Sequence, residues 1–144
     1  MIAGTPARLE ELAGTLGPDG MKRALGPQKW TAREILCHLA DTEVAFAFRL
    51  RQALAEPHYT IQPFDQEAWA RNYEALEARP ALETFAALRR WNVALIDSVP
   101  EDMYAKPVTH PERGKMTFRT LVETMAGHDL NHLRQLETLA AQNS

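Results

Sequence analysis

Gly127-His128-Asp129-Leu130-Asn131-His132-Leu133-Arg134-Gln135-Leu136 is the stretch that decides how this chain folds. It lies in a longer run in which Leu121, Met125, His128, His132, Leu136 and Leu139 recur every three or four residues, the period of one helix face. Thr117 is placed to cap that helix, which the spacing carries to about Ala141. His128 and His132 stand one turn apart on its inner face, the spacing at which two imidazoles grip one transition-metal ion. A face that mixes leucines with histidines predicts a helix packed inward, with polar nitrogens that need a partner there.

Upstream, Thr31 and Glu34 have capping-box spacing, and Trp30 and Ile35 fall where a hydrophobic staple would sit. They open a helix from Thr31 to about Leu54, roughly 36 Å long at about 1.5 Å per residue. Its inward stripe reads Ile35, His38, Thr42, Ala45, Phe46, Arg49, and Glu56-Pro57 ends it. Before it, Thr5 caps a first helix with Pro6 at its first position and a Leu9, Leu12, Leu16 stripe. Gly17-Pro18-Asp19-Gly20 breaks that helix, and a short helical turn is expected over Met21 to Leu25. Asp65 caps a shorter piece containing Trp69, Tyr73 and Leu76. Pro80 opens a third long helix to about Val99 along Leu82, Phe85, Leu88, Val93 and Ile96. Pro100, Pro107, Pro111 and Gly114 mark a long loop, with room for a small hairpin at His110-Pro111-Glu112-Arg113-Gly114. Four long amphipathic segments and no convincing strand predict an all-α four-helix bundle with long connections. Long ordered loops often carry function.

The bulk composition narrows the classes. With 144 residues the chain is expected to be one domain, 1–144, with 45% hydrophobic and 24% charged residues. A net charge of -3 with scattered Lys and Arg gives no basic face for nucleic acid. No apolar run approaches the roughly 18 residues that span a bilayer. The opening Met1-Ile2-Ala3-Gly4-Thr5-Pro6 lacks the order of a signal peptide. The single Cys37 cannot form an intrachain disulfide, which fits a reducing cytoplasm. A homodimer is compatible with an amphipathic bundle of this size.

His38 supplies a third inward imidazole. Burying such nitrogens unpartnered costs a few kcal/mol each. One reading is a facial site of His38, His128 and His132 on one metal ion; the alternative is three separately hydrogen-bonded core histidines. Neutral imidazole suits zinc, nickel, copper or iron. Three ligands leave a coordination position open, the layout of a catalytic centre. Asp41, three residues after His38, can orient an imidazole or accept a proton. Asp129 beside His128 is the weaker acceptor, and either can be a solvated carboxylate. Arg49 can bind an anionic substrate or cofactor carboxylate, or form a structural ion pair. Cys37 reads as a small buried hydrophobe. His58 and His110 read as loop residues, either able to line the mouth of a site. Gln135 reads as a hydrogen-bonding residue within the bundle. His-Asp-x-x-His departs from the zincin pattern by one methylene, which argues against a peptidase.

Trp30-Thr31-Ala32-Arg33-Glu34-Ile35-Leu36-Cys37-His38-Leu39-Ala40-Asp41-Thr42-Glu43, the later Arg49, the segment Phe64-Asp65-Gln66-Glu67-Ala68-Trp69 and Gly127 to Leu136 together resemble the DinB/YfiT-like superfamily. The resemblance covers about residues 5 to 142. It implies a bundle with up-down-down-up connectivity and a divalent transition metal, often zinc or nickel, held by His38, His128 and His132. Characterised members of the superfamily include bacillithiol- and mycothiol-dependent S-transferases and a maleylpyruvate isomerase, in which the metal activates a cofactor thiol. The resemblance thus implies an enzyme that uses a low-molecular-weight thiol on small electrophiles, ahead of a metal-dependent hydrolase. The alternative is a non-enzymatic helical binding module with a structural metal. A fourth protein ligand or an apolar seal over the three histidines would favour the structural role. A cavity that ends on them would favour the enzyme.

Overall fold

The computed structural model describes residues 2–142, so the outermost residues of the expected 1–144 domain lie outside it. Local chemistry sets most element ends. Helix α1 (Thr5–Gly20) begins after Gly4 rather than after a Thr5 cap. Thr5 lies inside the first turn, and its hydroxyl donates to Asp129 Oδ2 at 2.7 Å instead. Pro6 is tolerated there because first-turn N–H groups have no intrahelical acceptor. Gly17 takes φ 63°, ψ -178°, a conformation essentially closed to other residues, and kinks the helix. Met21 to Leu25 form turns and a bridge from Ala24 to Thr31, not the expected helical turn.

Helix α2 (Ala32–Ala55) carries the complete capping box: Thr31 Oγ1 accepts from the Glu34 N–H at 3.2 Å, and Glu34 Oε1 accepts from the Thr31 N–H at 3.0 Å. At its other end Lys106 Nζ donates to the carbonyls of Ala53, Leu54 and Glu56, a favourable place for a cation. The Asp65 side chain caps α3 (Gln66–Ala70). Tyr73 falls outside α3, in a 3₁₀ turn. Helix α4 (Ala78–Ser98) starts two residues before Pro80, which sits in its first turn. Thr117 Oγ1 accepts from the Thr120 N–H at the start of α5 (Phe118–Ala141).

The all-α expectation needs one minor correction. The predicted hairpin is the turn between β2 (Pro107–His110) and β3 (Gly114–Thr117), which pair antiparallel. A two-residue strand β1 (Tyr59–Thr60) adds in parallel, Tyr59 opposite Val108 and Thr60 opposite Thr109. This small sheet ties the two long connections together at one end of the bundle.

Named pairs fix the connectivity. Arg89 of α4 reaches the Ile2 carbonyl, while Arg79, ten residues earlier, reaches Glu10 of α1, so α1 and α4 are antiparallel. Thr5 meets Asp129 and Arg8 meets Glu137, so α1 and α5 are parallel. His38 of α2 faces His132 and His128, and Phe46 faces His128, so α2 and α5 are antiparallel. The order is up-down-down-up.

The core has two apolar layers. Leu9, Leu12, Leu16, Ile35, Leu39, Phe85, Leu136 and Leu139 fill one end. Phe46, Leu50, Ile96, Val108, Phe118, Leu121 and Met125 fill the other. Each such side chain contributes roughly 1.5–3 kcal/mol of burial. A polar stratum lies between them. Arg89, 1% exposed, donates to Glu43 through Nε (2.9 Å) and Nη2 (2.8 Å), to Asp129 through Nη1 (2.5 Å) and Nη2 (2.9 Å), and to the Ile2 carbonyl through Nη1 (3.0 Å). All five guanidinium protons are thereby used. The flanking carboxylates hold Arg89 charged against the cost of burial, so its pKa is raised. No described helix is long and apolar enough to cross a membrane.

Candidate metal centre

The helical period places the three histidines beside this polar stratum. His38 is buried on α2, and His132 and His128 lie one turn apart on α5. Their rings meet with centroids 5.0 Å (His38 to His128), 4.8 Å (His38 to His132) and 4.5 Å (His128 to His132) apart. One donor nitrogen from each lies within 4.8 Å of the other two. His38 Nε2 and His128 Nε2 are 3.0 Å apart, close to the roughly 3 Å that separates two nitrogens sharing a metal at about 2.0–2.1 Å.

Two of the three rings are held from behind. Trp30 stacks at a tilt on His38 with centroids 4.5 Å apart, so the staple residue is also the wall behind this imidazole. Gln135 Oε1 lies 2.7 Å from His132 Nδ1. A carbonyl oxygen can only accept, so Nδ1 carries the proton and Nε2 keeps its lone pair. The hydrogen bond expected of Gln135 within the bundle thus falls on a candidate ligand, three residues before it in the helix. Burial, reinforced by the His132 and His128 rings, pushes His38 down to about 3. Burial and His132 push His128 down to about 4, with Asp129 opposing. Burial lowers His132 as well, against the Gln135 bond. The three rings are neutral at neutral pH, the form that ligates metals. This donor set fits a divalent transition metal.

The carboxylates expected to assist are placed elsewhere. Asp41 Oδ2 accepts from the Tyr73 hydroxyl at 2.8 Å and lines a separate depression with Cys37, Ala40 and Pro80. Burial and this carboxylate raise the Tyr73 pKa. Three residues rotate the helix by about 300°, which turns Asp41 toward the Tyr73 segment and leaves His38 facing α5. Asp129 is neither solvated nor on an imidazole: one step round α5 from His128, it points into the bundle and pairs with Arg89 and Thr5. Cys37 is buried, as expected.

A cavity of about 410 Å³ ends on His38 and His128. Phe46, Ile61, Leu121 and Met116 give it apolar walls, and Arg49, His110 and Arg113 line its outer part. His110 thus reaches the mouth, its Nδ1 accepting from the Glu112 and Arg113 N–H groups. His58 instead bonds Thr109 Oγ1. A second depression, lined by Trp30, Glu67, Asn131 and Gln135, approaches His128 and His132 from the other side. Among the described residues no fourth His, Cys, Asp or Glu joins the cluster. The arrangement is that of an open centre at the end of a cavity.

Known proteins share this architecture. The structure of YfiT from Bacillus subtilis, described as a probable metal-dependent hydrolase with an unusual four-helix bundle topology, superposes with a TM-score of 0.90 at 19% identity, over 98% of this chain and 82% of that one. A DinB-like protein, YjoA, from the same organism gives 0.60 at 15% identity, over 98% and 88%. In sequence, the candidate metal-dependent hydrolase OB0782 of Oceanobacillus iheyensis is 33% identical over 112 residues, 76% of this chain. The chain spans only 64% of the length of OB0782. GK0616 of Geobacillus kaustophilus, with the same designation, is 28% identical over 143 residues, 96% of this chain and 79% of that protein. The family model of the DinB superfamily matches residues 1–136, and the chain belongs to that superfamily.

Proposed function

We propose that this protein is a metal-dependent enzyme in which His38, His128 and His132 hold one divalent transition-metal ion, zinc or nickel by the superfamily resemblance, and that it activates a small nucleophile against a small-molecule substrate. The observation that carries the reading is the convergence of three neutral imidazoles at the end of an open cavity with no fourth protein ligand. A structural staple would call for a closed site. When bound, the ion supplies Lewis acidity and lowers the pKa of a water or thiol nucleophile.

The chain's own groups do the rest. Gln135 fixes the tautomer of His132, and Trp30 fixes the ring of His38. Phe46, Ile61, Leu121 and Met116 offer apolar contact to a substrate body, and the cavity has the size of a small-molecule site. Water is the nucleophile that the designation of the relatives OB0782 and GK0616 supports, which makes the reaction a hydrolysis. A low-molecular-weight thiol is the nucleophile that the superfamily resemblance supports.

Metal content measured on purified protein tests the site. Wild type is expected to carry about one ion per chain, and His38→Ala, His128→Ala and His132→Ala each to lose most of it. Full occupancy in a single variant would remove that residue from the ligand set. Addition of cysteine or glutathione to cobalt-substituted protein then separates the nucleophiles. A perturbed cobalt spectrum supports the thiol, whereas an unchanged spectrum with turnover of activated esters supports water.

A further inference from the structure

The outer part of the cavity holds two guanidinium groups from different elements. Arg49 lies on α2, eleven residues and about 16 Å of helix rise beyond His38. Arg113 lies in the turn between β2 and β3. Both line the same cavity. They are near enough for the Arg113 charge to lower the Arg49 pKa, after the larger effect of burial. Among the described residues neither has a carboxylate within ion-pair distance; the ion pairs formed are those of Arg8, Arg79, Arg89 and Arg119. Glu112, next to Arg113 in the turn, lines the cavity without pairing with either. Arg49 is half-buried, donates to the Gln62 carbonyl at 3.2 Å and lies over the Phe64 ring at 5.5 Å, so its position is fixed while most of its donors stay free. Two neighbouring cations, neither of them ion-paired among the described residues and one of them half-buried, make a site that an anion completes.

We propose that Arg49 and Arg113 form an oxyanion-binding site that selects amphipathic small acids. The anionic head lies between the two guanidiniums, the apolar body runs along Phe46, Ile61, Leu121 and Met116, and the reactive bond reaches His38 and His128. The substrate class, a small molecule with a carboxylate or phosphate remote from its reacting group, rests on the proposed function above. The anion site itself does not.

Calorimetric titration of metal-free protein with benzoate, benzamide and phenyl phosphate tests the site apart from the metal. Wild type is expected to bind the two anions and to bind neutral benzamide at least tenfold more weakly. Loss of one charged hydrogen-bonding partner predicts about tenfold weaker anion binding in Arg49→Gln and in Arg113→Gln. Arg113 is exposed in a turn, so that variant keeps the fold. Asp41→Asn, whose carboxylate lies on Tyr73 and outside this cavity, is expected to leave anion affinity within about twofold, and the use of metal-free protein keeps failure of the metal centre from masking the result. Tighter binding of either benzoate or phenyl phosphate than of benzamide supports the site, and the tighter of the two anions shows which head group it takes better. Equal binding of benzoate and benzamide, or unchanged anion affinity in Arg113→Gln, would overturn the proposal.

Discussion

His132 offers a metal its Nε2 lone pair because Gln135 holds the proton on Nδ1. Gln135→Leu removes that acceptor without touching the ligands. It is predicted to weaken metal affinity about 10–100-fold, measured by competition with a chromophoric chelator. Asp41→Asn, by contrast, should leave metal content unchanged, since that carboxylate lies on Tyr73. The lowered histidine pKa values give a pH dependence with a definite sign. His38 and His128 sit near 3 and 4 in the fold, against about 6.5 for a free imidazole. Between those values the unfolded chain binds more protons, so metal-free protein keeps its full stability above about pH 6.5 and loses it as pH falls toward 4. Urea midpoints at pH 7.5 and pH 4.5 check this, and His128→Phe should flatten the difference. The histidines could be read from sequence because a helical period reports which residues share a face. Asp41 and Asp129 could not, because the period does not say which neighbouring element each flank of that face meets.

Caps were the clearest element signals. Thr31, Asp65 and Thr117 each accept the backbone N–H groups that their spacing implies. Thr31→Ala should cost about 1 kcal/mol in urea unfolding, the usual value of such a cap. Thr5 misled because its hydroxyl has a stronger claim elsewhere: it donates to Asp129, 124 residues away. The hairpin was visible from Pro111 and Gly114. Strand β1 was not, since two residues carry no alternation and its partner, β2, lies some fifty residues on. The sheet has a consequence for function. It carries the turn with Arg113 over the mouth of the cavity, so the connections that lengthen the bundle also line its site.

At the scale of the whole molecule the polar stratum organises the bundle. Arg89, Glu43, Asp129, Asn92 and Thr5 join all four long helices between two apolar layers. Arg89→Met would leave two buried carboxylates without their cation and is predicted to destabilise by about 3–5 kcal/mol, read from chemical unfolding. In sequence Arg89 and Asn92 look like surface residues. They lie on the stripe Leu82, Phe85, Arg89, Asn92, Ile96, whose middle meets the carboxylates of other helices rather than water. The up-down-down-up order was likewise available only through family resemblance, because amphipathic periods do not encode which helices are neighbours. Under the proposed function, three histidines distant in the chain share one cation at an open position. Anomalous scattering from crystals of the metal-loaded protein tests it most directly. A single peak is expected at coordination distance from His38, His128 and His132, with one side facing the cavity. A peak closed off by a fourth side chain, or no peak among the three rings, would contradict it.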